Sequence, residues 1–178
     1  MADPTFTRTE AQETSPNWRL LLGRLMLSVE FPDFVSALTF VNAVGDVAEL
    51  LDHHPDIDLR WGRVVLAVAS HDVGGLTERD RRFTAAIDEL LPEHEGTVQH
   101  DRLTELEVAI DTMDVSAIRP FWAAVLGFEE DGEDAVADPN SRLPGVWFQQ
   151  LDEDGAERSR GRNRIHIDVT VAHDEAQA

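Results

Sequence analysis

From Trp18 onward the apolar positions fall into two rhythms, one spaced like a strand and one like a helix. "WRLLLGRLMLSVEF" reads as two short strands turning near Gly23. Phe34, Ala37, Leu38, Val41, Val44, Ala48 and Leu51 then recur at helical spacing, with Asp33 as the N-cap. That helix must stop before Pro55, because a residue preceding proline is pushed out of the α region. Gly45 inside it costs about 1 kcal/mol relative to alanine. The run 59–69 is β-branched and apolar and predicts one strand. Thr77 and Asp80 stand at the spacing of a capping box, ahead of a stripe of Phe83, Ala86, Ile87, Leu90 and Leu91 that Pro92 closes.

After a stretch without period the pattern restarts. Residues 106–113 predict a strand, 114–127 a helix capped by Gly127, 128–137 a shorter strand, and 145–152 and 164–171 two more. In the last, Ile165, Ile167, Val169 and Val171 share one face, while His166, Asp168 and Thr170 share the other. Pro120 is expected to kink the second helix or delay its start. The chain thus divides into a flexible tail (1–16), a β–β–α–β–α domain (17–92), a linker (93–103) and a βαβββ module (104–178). The fold class is α+β, and no repeat relates the halves.

Composition narrows the chemistry. The net charge is −20 over 178 residues, a field that repels phosphate backbones and anionic lipid and argues against nucleic-acid or membrane partners. The chain has no cysteine, which removes disulfides and thiolate chemistry. All 15 basic residues are arginine and there is no tyrosine, so Schiff-base lysine and tyrosine acid catalysis are excluded too. No unbroken apolar run reaches the ~18 residues of a membrane span. "MADPTFTRTEAQETSPN" lacks a signal-peptide core, and a cytoplasmic location is expected.

The candidate chemistry lies in "ELLDHHPDIDLRWGRVVLAVASHD", which holds His53, His54 and His71. Glu49 and His53 are one helical turn apart and share a face. His71 follows the 59–69 strand, whose end can converge with the helix end on one rim. Three readings stand at this point. The His53–His54 pair can be surface imidazoles at a helix C-terminus, favoured by the dipole. Three imidazoles can ligate zinc with one open position. Or imidazoles beside Glu49, Asp52, Asp72 and Asp80 can move protons on a polar heterocycle.

Glu49–Pro55 as "E-x-x-x-H-H-P", the aromatic Trp61, "SHD" at 70–72 and "GLTERD" at 75–80 together resemble pterin-4a-carbinolamine dehydratase, over Trp18 to Leu91. The resemblance implies a sheet backed by helices, a homo-oligomer, and dehydration of 4a-hydroxytetrahydrobiopterin to quinonoid dihydrobiopterin without metal or cofactor. It implies His53, His54 and His71 as catalytic imidazoles, with Glu49 and Asp80 orienting or polarising them. Pterin contacts would come from His53, His54, Pro55, Trp61, Ser70, His71, Asp72 and Val73. The implied setting is tetrahydrobiopterin recycling alongside an aromatic amino acid hydroxylase. One departure from the family is an N-terminal segment with too few apolar positions for an amphipathic helix.

The second half is similar to the glyoxalase/bleomycin-resistance group, of whose paired modules it carries one. Glu107 and His166 fall where metal-dependent members place ligands, although one module cannot complete such a site; His166 and Asp168 also fit an ordinary polar pair. Trp122 and Trp147 are expected in the core, and "ERSRGRNR" (157–164) as a solvated loop. Alternatives to the lyase reading are a non-catalytic pterin-fold binding or dimerisation protein, and a ligand- or metal-binding glyoxalase-type or resistance protein acting through the C-terminal module.

Overall fold

The segment ahead of Trp18, expected as a tail, contains the first element, helix α1 (Arg8–Glu13). Thr7 and Glu10 cap it reciprocally: the Thr7 N–H donates to Glu10 Oε2 at 2.8 Å, and the Glu10 N–H to Thr7 Oγ1 at 3.3 Å. Two apolar residues suffice to anchor it, since Ala11 is buried and Phe6 packs on the same core. The computed structural model describes residues 4–13, 16–151 and 165–171. The chain divides into two compact units between Thr104 and Glu105.

In the first unit, β1 (Arg19–Leu21) and β2 (Arg24–Glu30) form the expected hairpin, turning through Leu22 and Gly23 at φ 44° and 78°. Helix α2 (Phe34–Leu51) starts at Asp33, whose carboxylate accepts from the Ser36 N–H at 2.8 Å. It buries Ala37, Phe40, Val44 and Ala48. At 18 residues and a mean hydropathy of 1.5, α2 is long and apolar enough by length and composition alone to cross a bilayer, a test that a core helix also passes. Asp46 and Glu49 interrupt the run and hide it from a search for unbroken apolar sequence.

The run 59–69, expected as one strand, belongs to a hairpin of β3 (Asp56–Arg60) and β4 (Arg63–Val68). Trp61 turns the chain at φ 55°, and Gly62 fits where a Cβ would lie 2.5 Å from the Phe31 carbonyl oxygen. The Phe31 N–H donates to the Gly62 carbonyl at 2.7 Å, fixing that turn. The antiparallel order is β1–β2–β4–β3. Its register pairs Leu27 with Leu66 and Val29 with Val64. These side chains meet α2 and, from α3 (Glu78–Leu90), Phe83 and Ile87. Fully burying each of Phe40 and Phe83 contributes on the order of 1.5–3 kcal/mol.

The expected linker is part of this unit. Its β5 (Thr97–Val98) pairs with β2 through Val29 and Glu30. Gly96 approaches so closely that a Cβ would meet Val29 Cγ1 at 2.6 Å. Leu103 is buried against Leu21, Met26 and Ala67 on the sheet face opposite the helices. Arg19 Nη2 donates to His100 Nδ1 at 2.7 Å, and His100 Nε2 donates to the Asn17 carbonyl at 3.2 Å.

In the second unit, β6 (Thr104–Thr112) leads into α4 (Val115–Leu126), capped by Asp114 and ended by Gly127 at φ 69°. Pro120 neither delays nor stops this helix. The shorter strand expected near 128–137 is two, β7 (Glu129–Asp131) and β8 (Ala135–Ala137), turning at Gly132. With β9 (Gly145–Gln150), parallel to β6, they already complete a β–α–β–β–β unit. The sheet order β10–β6–β9–β8–β7 therefore places β10 (Ile165–Val171) as a further strand on the other side of β6. The α+β class holds in both units. Residues 157–164 lie outside the described residues.

Candidate functional site

The end of α2 sets the two adjacent histidines in opposite environments. Asp52 closes the helix in the left-handed region at φ 50°, a conformation aspartate tolerates better than most residues. The His53 N–H then returns to the Ala48 carbonyl at 3.1 Å. This reversal carries the His53 ring inside, 7% exposed, against the edge of Phe83 at a centroid distance of 6.0 Å. His54 faces outward, and its Nε2 meets Glu49 Oε1 at 3.1 Å with both side chains more than half exposed. Glu49 thus partners His54, five residues on, rather than His53.

Asp80, fully buried in the first turn of α3, ties the elements together. Its Oδ1 lies 2.8 Å from His53 Nε2. Its Oδ2 accepts from Ser70 Oγ at 2.7 Å and from the Thr77 N–H at 2.7 Å. The second of these is the capping-box bond the sequence predicts. Burying a carboxylate without such partners is strongly unfavourable. With them, one side chain joins the end of α2, the end of β4 and the start of α3.

His71, Asp72 and Val73 follow Ser70 in a single 3-10 turn ended by Gly74 at φ 62°. The loop is closed by the Ser70 N–H donating to the Gly75 carbonyl at 3.0 Å and the Val73 N–H donating to the Ser70 carbonyl at 3.2 Å. His71 and Asp72 are exposed, while Val73 and Pro55 are half-buried. Arg79 donates to Asp72 at 2.6 Å. That bond holds the Asp72 carboxyl below the usual aspartate range, with smaller help from the charges of Arg79 and His53. The N-terminal segment reaches the same loop: the Phe6 N–H donates to the Leu76 carbonyl at 2.7 Å, and Thr5 lies against Gly75.

His53, Ser70 and Asp80 thus share one hydrogen-bonded hub, with His54 and His71 each one residue from a member of it. Trp61 is not brought to them. It sits 87% exposed at the tip of the β3–β4 hairpin, while His54 precedes the opposite end of β3. Five residues of strand separate the two ends, roughly 17 Å at 3.3 Å per residue. Sequence reasoning treated Thr77 only as a cap and passed over Phe83 and Arg79 as site residues; the capping box was the signal for Thr77, and for Arg79 there was none.

In the second unit, Trp147 corrects the expectation of a core role. Val146 and Phe148 enter the core beside Trp122, so the alternation of β9 sends Trp147 to the other face. There its Nε1 donates to Asp168 Oδ2 at 3.0 Å, and its ring meets the His166 edge at 6.0 Å. His166 Nε2 lies 3.8 Å from Asp168 Oδ1. Partial burial, then the charges of Asp168 and Glu105, push the Glu107 carboxyl above the ordinary glutamate value. Among the described residues, no group of three or more His, Cys, Asp or Glu side chains could hold a metal ion.

Residues 4–90 match the family described as pterin 4 alpha carbinolamine dehydratase, and residues 107–178 match a glyoxalase-like domain. A protein of Acidobacterium capsulatum named "Putative pterin-4-alpha-carbinolamine dehydratase" is 51% identical over 82 residues, covering 46% of this chain and 89% of its own. One of the same name from Chloroflexus aurantiacus is 45% identical over 76 residues, covering 43% and 82% respectively. The crystal structure of transcriptional coactivator/pterin dehydratase from Brucella Melitensis aligns at 27% identity with a TM-score of 0.47, covering 49% of this chain and 98% of that one.

Proposed function

Because the chain belongs to the pterin 4 alpha carbinolamine dehydratase family, we propose that its first unit removes water from a 4a-hydroxytetrahydropterin by histidine acid–base catalysis. One imidazole gives a proton to the departing 4a-hydroxyl as its C–O bond breaks, and another takes the proton the ring releases. The products are quinonoid dihydropterin and water, with no change in redox state. The observation that carries this reading is the buried His53–Asp80 pair, set beside the loop of His71 and one residue from His54. A carboxylate held this way fixes an imidazole's tautomer and orientation. In this reading His54 and His71 are the solvent-facing exchangers, and Glu49 orients His54.

The substrate's chemistry points to its source. A 4a-hydroxypterin is the product of a pterin-dependent hydroxylation, so an aromatic amino acid hydroxylase or a similar monooxygenase stands upstream. Self-association fits the exposed Phe34, Val35, Leu38 and Leu50 of α2.

The test is a stopped assay of carbinolamine dehydration with the full chain and with His53→Ala, His54→Ala and His71→Ala. General acid–base groups typically contribute about 10²–10⁴ in rate, so a loss of at least about 10² in kcat is expected for one or more of the three. Equal rates in all four proteins would return the fold to the role of a binding platform.

A further inference from the structure

The hydroxyls of Ser70 and Thr77 lie deep beneath the histidines. Ser70 is 1% exposed and Thr77 0%, so neither offers a surface to a ligand. Their oxygens lie 2.9 Å apart. Ser70 has one hydrogen, and its 2.7 Å bond to Asp80 Oδ2 uses it. The hydrogen between the two hydroxyls therefore comes from Thr77, for which the Ser70 oxygen at 2.9 Å is a nearer acceptor than Asp80 Oδ2 at 3.4 Å, while Thr77 Oγ1 accepts the Arg79 N–H at 3.2 Å. The direction of the chain is thus set: Thr77 donates to Ser70, Ser70 to Asp80. The Thr77 N–H donates to the same Oδ2 at 2.7 Å.

This saturates Oδ2 with donors and turns Oδ1 toward His53. An ionised carboxylate has no hydrogen to give, so the 2.8 Å contact requires His53 Nε2 to be the donor. The neutral ring is thereby held as the Nε2–H tautomer, with Nδ1 as its acceptor nitrogen. We propose that Ser70 and Thr77 are positioning residues for His53, acting through Asp80 to fix the tautomer and plane of its ring. The proposal rests on the dehydratase reading for its kinetic consequence and on geometry alone for its structural one. It also gives Ser70 a different part from the pterin contact that the family resemblance implies.

The variants are Ser70→Ala, Thr77→Val and Thr77→Ser in the full chain, read by dehydration kinetics and by ¹⁵N shifts of the His53 ring, assigned by their loss in His53→Gln. Ser70→Ala and Thr77→Val should each lower kcat about tenfold, below the 10²–10⁴ of a whole acid–base group, with KM unchanged within about twofold. Both act on one oxygen, so the double variant should fall well short of the product of the two losses. Thr77→Ser, which keeps hydroxyl and cap, should return to within about twofold of the parent, using the same scale of comparison. The wide separation of the two ring ¹⁵N shifts that marks a fixed tautomer should shrink in Ser70→Ala. Ser70→Ala spares the capping box, so its result stands even if Thr77→Val unfolds. A raised KM at unchanged kcat would make Ser70 a substrate contact and overturn the proposal, as would ring shifts that do not move. If the parent protein has no dehydratase activity, the functional reading fails, while the ring shifts still decide the positioning role.

Discussion

The two units place their helices on their sheets to very different depths. In the first, α2 and α3 bury Ala37, Phe40, Val44, Ala48, Phe83 and Ile87, and the second sheet face is closed by Leu103. In the second, no residue of α4 is fully buried, and Phe121 and Val125 are each 60% exposed. Ile165, Ile167 and Val169 of β10 are also exposed. Among the described residues, the unit with the deeper core is the one that holds a wholly buried carboxylate side chain, Asp80. An ionised group can be kept from water only where the surrounding packing fixes its hydrogen-bond donors in place. The second unit's polar residues, Glu107, Trp147, His166 and Asp168, instead lie on a partly open face.

The sharpest way to break this comparison is to cut an equivalent side chain from each core. Phe40→Ala and Phe148→Ala both remove a fully buried ring, a change that typically costs about 3–5 kcal/mol. Calorimetry should show the first unit's transition lowered but present in Phe40→Ala, and the second unit's transition abolished in Phe148→Ala. Similar shifts in both would mean that the cores are equally robust. Leu103→Ala tests whether the segment between the units belongs to the first; it should lower that unit's transition by about 2–3 kcal/mol, as for other buried leucines. An unchanged transition would restore the segment to a mere connector.

The smallest effect concerns pH. Glu107 binds its proton more tightly in the folded unit than in the unfolded chain, because burial and neighbouring carboxylates raise its value. Its contribution is therefore fully present below the ordinary glutamate value of about 4.3 and is lost as pH rises through the raised one. Glu107→Gln should flatten this decline and raise the second unit's melting temperature slightly at pH 7. Parallel melting curves for parent and variant from pH 4 to 7 would reject that account.

Much of this was legible in the chain. Asp33, Gly127 and the Thr77–Asp80 box mark their helix ends because caps are local and depend on residues in plain sequence. The Thr7–Glu10 box is equally local and was outweighed by the polar run around it. The β3–β4 hairpin was hidden because its turn is a Trp–Gly pair inside an apolar stretch, fixed by the Phe31 N–H from just past the end of β2, well before it in the chain. Leu103 gave no periodic signal, since a single residue covers that part of the sheet. The motif named His53, His54, His71 and Asp80, but spacing alone could not tell that one adjacent imidazole turns inward and the other outward. That difference arises from a single left-handed residue, Asp52.

One oxygen, Asp80 Oδ2, serves both the start of a helix and the histidine hub. Selection for folding alone would therefore preserve this aspartate in a descendant that had abandoned turnover, and its retention is a poor sign of activity. The exposed imidazoles of His54 and His71 have no such second duty, so their loss is where decay to a silent scaffold would first become visible.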